Sequence, residues 1–111
     1  MPTLKTCHLL ESALSNSLSV ISAWDNNLLV GLLRVVGDGL PIIYVQDLLV
    51  LKEYQNKGIG TQLITRVLSD YKQIRQKVLL TNEEPKVRYF YESHGFISCD
   101  QGSLVAFTNL D

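Results

Sequence analysis

Residues 44–64 read Tyr44-Val-Gln-Asp-Leu-Leu-Val-Leu-Lys-Glu-Tyr-Gln-Asn-Lys-Gly-Ile-Gly-Thr-Gln-Leu-Ile64, and the apolar period changes inside this stretch. From Leu40 to Leu51 the chain is apolar on both faces except at Gln46 and Asp47, the pattern of a strand buried in the middle of a sheet. From Ile59 the apolar positions are Ile59, Leu63, Ile64, Val67, Leu68, Tyr71 and Ile74, one stripe of an amphipathic helix of about four turns. Between the two lies Gln55-Asn56-Lys57-Gly58-Ile59-Gly60. Two glycines at a helix start permit a tight turn and the close approach of a ligand. The first amides of a helix have no internal partner and sit at the positive end of its dipole, so a phosphate or pyrophosphate fits there.

Upstream, Leu18–Trp24 and Leu28–Val36 flank Asp25-Asn26-Asn27, whose side chains favour a tight turn, and together they predict an antiparallel hairpin. Gly37-Asp38-Gly39 marks the next turn. Residues 4–15, with Leu4, Leu9, Leu10 and Leu14, predict a short helix stopped by Ser15-Asn16-Ser17. Downstream, Val78–Leu80 predicts a short strand, and Pro85 suits a first helical turn. Val87, Phe90, Tyr91 and His94 share one face of that helix, Gly95 ends it, and Ser103–Thr108 predicts a last strand. The order describes one mixed α/β domain over residues 1–111, with a strand-helix-strand crossover between residues 42 and 80.

Composition narrows the function. The chain has 111 residues, 46% hydrophobic and 19% charged, with a net charge of −1. That is a globular chain without the basic patch expected of nucleic-acid or membrane-surface binders. No apolar run reaches roughly 18 residues, and no secretory leader pattern opens the chain. The expectation is a cytoplasmic protein with two free thiols, Cys7 and Cys99. Cys7, His8 and Cys99 lack metal-ligand spacing, so no metal is expected.

Three readings compete for the glycine turn besides a helix start with no ligand. A Walker-type loop requires Gly-Lys-Ser/Thr after a first glycine and four further residues, and no such string occurs. A dinucleotide fingerprint requires a third glycine where Leu63 stands, and an acidic residue about 20 positions on that is also missing. The third reading comes from resemblance. Residues 44–64 resemble the cofactor-binding motif of the GNAT superfamily of acyl-CoA-dependent N-acetyltransferases: strand, short loop, Arg/Gln-x-x-Gly-x-Gly/Ala, helix. Gln55, Gly58 and Gly60 stand at its three fixed positions. Arg88-Tyr-Phe-Tyr-Glu-Ser-His-Gly-Phe96 looks like the family's Phe-Tyr-x-x-x-Gly-Phe helix end. Two motifs in the right order are more specific than either alone, and the resemblance spans about residues 18–108.

The resemblance implies a mixed, mostly antiparallel central sheet with helices on both faces and a splayed cofactor groove. It implies acetyl-CoA as cosubstrate, no metal, and a primary amine on a small molecule or peptide as acceptor. The amides of Asn56, Lys57, Gly58, Ile59, Gly60 and Thr61 would hold the coenzyme A pyrophosphate, beside Gln55. The backbone of Leu49, Val50 and Leu51 would pair with the pantetheine arm, where the family's sheet splays, often at a bulge. An amide near Leu49 or Val50 would meet the oxyanion. Asn82 stands where family members place a cofactor-contacting Asn, although turn capping also accounts for it.

Acetyl transfer needs a proton donor for the departing thiolate and an acceptor for the amine's proton. Tyr91 matches the family's acid position; a buried core tyrosine is the other reading. Asp47 interrupts an apolar strand, where a carboxylate is costly unless used or paired. It is either a base acting through water, a partner for Arg34 or a local cap. His94 reads as a packing residue. Family members usually begin with a strand and two helices, whereas one short helix is expected here before Leu18. A missing edge strand would leave an open acceptor site and invite a homodimer. A non-catalytic acyl-CoA-binding or regulatory module is the alternative function.

Overall fold

In the computed structural model, residues 2–7, 17–38 and 41–110 are described. Four strands form an antiparallel meander: β1 (Thr3–Cys7), β2 (Ser19–Asp25), β3 (Leu28–Gly37) and β4 (Ile42–Val50). A 3-10 turn at Lys52–Tyr54 leads into helix α1 (Ile59–Asp70), and the chain returns as β5 (Gln76–Leu79), parallel to β4. The sheet order is β1-β2-β3-β4-β5. It is the mixed, mostly antiparallel sheet expected, with the crossover helix where the change of period put it.

The local chemistry accounts for each turn. β2 and β3 close around Asn26-Asn27, with Asp25 opposite Leu28 and Asn26 at φ 56°. Asn tolerates that left-handed backbone better than most residues, which suits a two-residue hairpin. Ile21, Leu33, Val35, Ile43 and Val45 of the sheet are buried, as are Ile59, Leu63, Ile64 and Val67 of α1. Gly31 marks the crossing point. A Cβ there would stand 3.0 Å from Ile59 Cγ2 and 3.2 Å from Leu63 Cδ1, so a larger residue would need those side chains to give by a few tenths of an ångström. Ile74, the last residue of the predicted stripe, is buried beyond the end of the helix proper.

The described residues group into two compact units, Met1–Leu80 and Thr81–Asp111. The first holds the sheet and α1. The second holds α2 (Pro85–Glu92) and a 3-10 turn at Cys99–Gln101. Among the described residues, no helix is long and apolar enough to cross a membrane.

Three expectations change. Residues 4–7 are not helical: they form β1, paired from Thr3 opposite Trp24 to Cys7 opposite Val20. Leu4 follows a period of two because β2 offers it a ladder, and tertiary pairing outweighs a loose leucine spacing. The rest of that predicted helix, residues 8–15 with His8, lies outside the described residues, as do Gly39 and Leu40. The first strand is therefore present, and the argument from a missing edge element no longer supports a dimer. Finally, residues 104–110 form no strand and are exposed. Strand propensity without a neighbouring ladder does not make a strand.

Candidate active site

β4 runs past its parallel neighbour. The β5 ladder covers Ile42 to Val45 and then stops. On the other side, β3 stays paired to Val50, but the register shifts at Arg34/Val35: Val35 lies opposite Val45 and Arg34 opposite Asp47. Gln46 is the extra residue, a β-bulge that bends β4 where β5 leaves it. Beyond the bulge, Leu51 N–H donates to Val30 O at 2.9 Å. Antiparallel strands alternate, so the amides of Asp47, Leu49 and Leu51 face β3. Those of Leu48 and Val50 face the opposite edge, where no described strand lies.

The end of β4 passes into the glycine turn through defined contacts. Gln55 Nε2 donates to Val50 O at 3.0 Å, clamping the loop to the strand that feeds it. Asn56 (φ 63°) and Gly58 (φ 85°) adopt left-handed backbone. Gln62 N–H makes a 3.0 Å helical bond back to Gly58 O, so the amides of Ile59, Gly60 and Thr61 precede the first internal bond of α1. No side chain caps them, and no acidic residue lies in the first turn. A Cβ on Gly58 would meet nothing within 4 Å, so the space in front of this turn is open. Ile59, 2% exposed, anchors the start of the helix in the core. The result is an uncapped, positively polarised helix start with room for an anion.

The sequence reading missed the support behind this turn. Tyr54 donates to Asp25 across the β2–β3 hairpin, and Lys57 Nζ stands 5.4 Å from the centre of the Tyr54 ring. The bond to Asp25, followed by burial and nearby negative charge, raises the Tyr54 pKa above its ordinary value. A Tyr facing an Asp 29 positions away has no sequence signature; only the hairpin brings them together.

Asp47 lies opposite Arg34 in the strand pairing, and its Oδ2 sits 3.1 Å from Arg34 Nε. This is the pairing that the sequence offered as one reading of Asp47. The Asp47 side chain is 39% exposed and that of Arg34 21%, so the pair lies at the edge of solvent. On the same face, Leu49 and Leu51 are exposed large apolar residues.

The second unit carries the other predicted residues. α2 begins at Pro85 and ends in a glycine stop. Gly95, at φ 91°, allows Phe96 N–H to donate to Tyr91 O at 3.1 Å and Gly95 N–H to Glu92 O at 3.2 Å. These are the paired bonds of a Schellman motif, with its characteristic contact: the Tyr91 and Phe96 rings meet edge-on with centroids 5.7 Å apart. Phe90 holds the other side of Tyr91 at 5.1 Å. Burial raises the Tyr91 pKa, which keeps the phenol protonated at neutral pH. His94 Nδ1 lies 2.7 Å from Phe90 O; a carbonyl only accepts, so this nitrogen carries the hydrogen. Asn82 is exposed, and its carbonyl accepts from Glu84 N–H at 3.0 Å. Arg88 bonds Glu83 at 2.8 Å, fastening the loop before α2.

In this mixed α/β fold β4 outruns β5 and leads, on the same crossover, into an uncapped helix start. A family model described as an acetyltransferase (GNAT) domain matches residues 4–107, across both units. The chain belongs to the GNAT acetyltransferase family. It is 29% identical over 101 residues to an uncharacterized, ycf52-like N-acetyltransferase of Prochlorococcus marinus, over 87% of this chain and 56% of that protein. The chain thus spans little more than half the length of that curated relative. A GNAT-family acetyltransferase structure from Streptococcus pneumoniae superposes with a TM-score of 0.94 at 33% identity, over 100% of this chain and 98% of its own. A GNAT acetyltransferase of Elizabethkingia anophelis, solved with acetyl-CoA bound, shares the fold at a TM-score of 0.66 and 24% identity, over 76% of this chain and 56% of its own.

Proposed function

We propose that this acetyltransferase moves an acetyl group from acetyl-CoA to a primary amine by direct attack on the thioester. The observation that carries the reading is the continuity of β4 with α1. Amides of Leu48 and Val50 that lack a β5 partner lead straight to the uncapped amides of Ile59, Gly60 and Thr61. A ligand with a diphosphate at one end and an amide-bearing arm at the other matches that sequence of donors. The relative with acetyl-CoA bound supports the choice of ligand.

The residues divide the work as follows. Backbone N–H groups from Asn56 to Thr61 hold the pyrophosphate, with Gln55 fixing the turn to Val50 and Lys57 adding positive charge. Leu48 and Val50 pair with the pantetheine arm, flanked by Leu49 and Leu51, and Asn82 adds a further contact. Acetyl-CoA supplies the acyl carbon that the amine attacks. The Leu48 N–H, at the end of the arm away from the pyrophosphate, polarises the thioester carbonyl. Asp47, steadied by Arg34, takes the amine's proton through a water, and the Tyr91 hydroxyl gives its own proton to the departing thiolate. In this reading residues 1–111 are a single acetyltransferase domain located in the cytoplasm.

The test is thiol release from acetyl-CoA against a library of primary amines. Turnover with at least one amine is expected. Coenzyme A binding without turnover on any amine would favour a non-catalytic acyl-CoA-binding module, which the partial coverage of the curated relative keeps in view. No thermal stabilisation by coenzyme A would remove both readings.

A further inference from the structure

Gly31 faces Ile59 and Leu63 of α1, so by alternation Leu32 and Arg34 face the other side of the sheet. Residues paired across strands share a face. Ser22 and Leu49, both opposite Leu32, therefore join it in one row, which Lys5 extends onto β1. Asp47, opposite Arg34, stands in the adjacent row. Leu49 is 59% exposed, and Leu32 and Trp24 are half-buried. The polar groups beside them are spent on one another. Trp24 Nε1 donates to Ser22 Oγ at 2.8 Å, and buried Ser22 Oγ donates to Lys5 O at 3.3 Å. Lys5 Nζ stands 5.0 Å from the centre of the Trp24 ring, so the indole is held both by its N–H and over its face. Of the acids in the five strands, Asp25 alternates to the α1 side, where it accepts from Tyr54. That leaves Asp47, already paired with Arg34.

We propose that the acceptor is an amine with a single positive charge on an apolar body, and that Leu32, Leu49 and the fixed indole of Trp24 seat that body beside Asp47. This rests on the reading of Asp47 as the group that takes the amine's proton. A second ammonium on the acceptor would face Leu32 with no carboxylate to meet it, and burying an unpaired charge is costly. Lys5 and Arg34 add repulsion, which discriminates against polycations as well as failing to attract them. Hydroxyls would fare little better, because Ser22 and the indole N–H are already bonded. Asp47 and Leu49 are two residues apart, about 7 Å along the strand, so a chain of about six carbons leaving the amine spans both rows.

The test compares hexylamine with 1,6-diaminohexane, the same chain with a second ammonium, by thiol release from acetyl-CoA. The wild type should favour hexylamine in kcat/KM by at least about tenfold. From propylamine to hexylamine, kcat/KM should rise about threefold per added methylene, carried by KM. Leu32→Asp places a carboxylate in the row and should shift the preference at least about tenfold toward the diamine. Leu32→Asn, of the same size without the charge, should lose hexylamine activity without gaining the diamine. Both variants are checked by thermal melts and by coenzyme A affinity, which should stay within about a factor of two of the wild type. A wild type that uses the diamine as well as hexylamine, no gain with chain length, or a folded Leu32→Asp with unchanged preference would each overturn the proposal and leave the acetyltransferase reading standing. Turnover confined to other amines would do the same, whereas no turnover on any amine would overturn both.

Discussion

The Tyr54 hydroxyl donates a hydrogen bond of 2.5 Å to Asp25 Oδ2, joining the β2–β3 hairpin to the loop that opens into α1. Two segments far apart in sequence are thereby joined at the loop that leads to the proposed pyrophosphate site. Tyr54→Phe keeps the ring beneath Lys57 and removes only this bond. Coenzyme A affinity, read by calorimetry, should fall severalfold with unchanged far-UV circular dichroism. The pH dependence follows from the raised phenol pKa. A group whose folded pKa lies above its unfolded value stabilises the fold below the unfolded pKa and loses that contribution as pH rises through the folded one. The wild-type melting temperature should therefore drop more steeply above about pH 10 than that of Tyr54→Phe.

Gly58→Ala separates backbone strain from ligand exclusion. The added methyl meets no protein atom, so the fold loses only the cost of a left-handed alanine, about 1–2 kcal/mol. The same methyl stands in the open space before the uncapped amides. Coenzyme A affinity should fall by at least about tenfold, more than the lost stability alone explains. Equal affinity in the two proteins would move the anion site away from this turn.

Tyr91→Phe removes a hydroxyl and leaves the edge-on packing against Phe90 and Phe96 intact. Turnover should fall by about 10²-fold while the coenzyme A dissociation constant stays within about a factor of two. Because burial raises the phenol pKa, the loss of wild-type kcat that belongs to Tyr91 should appear only at alkaline pH, as the proton leaves. Unchanged turnover would make Tyr91 a packing residue.

Asp47→Asn and Arg34→Gln both break one ion pair but answer different questions. Both partners are partly exposed, so either change should cost about 1 kcal/mol of stability by thermal melts. Only Asp47→Asn should also lower kcat by about 10²-fold, because the amide cannot accept the proton. Equal activity losses in the two variants would reduce Asp47 to a structural role.

Much of the site was legible because it depends on local backbone chemistry. Gly58 and Gly95 both adopt positive φ, at a helix start and a helix stop, which residue type alone announces. Gln55 was legible as a motif position, but its bond to Val50 O was not, because that bond depends on how the loop folds back. Asp47 and Arg34 could be proposed as a pair. Their register, shifted by the Gln46 bulge, required the ladder. β1 was misread as helix because its strand character comes from β2 rather than from its own spacing.

By itself the sequence determined the crossover: a buried strand, a glycine turn and an amphipathic helix, whose periods of two and 3.6 are properties of the chain alone. It also determined both helix boundaries at the glycines, since only residues without a Cβ take those angles at little cost. Tertiary structure alone decided where β5 stops along β4, which amides that leaves facing an open edge, and which distant side chain steadies the turn. Those are outcomes of pairing between segments far apart in the chain, and pairing energy belongs to two strands together rather than to either one.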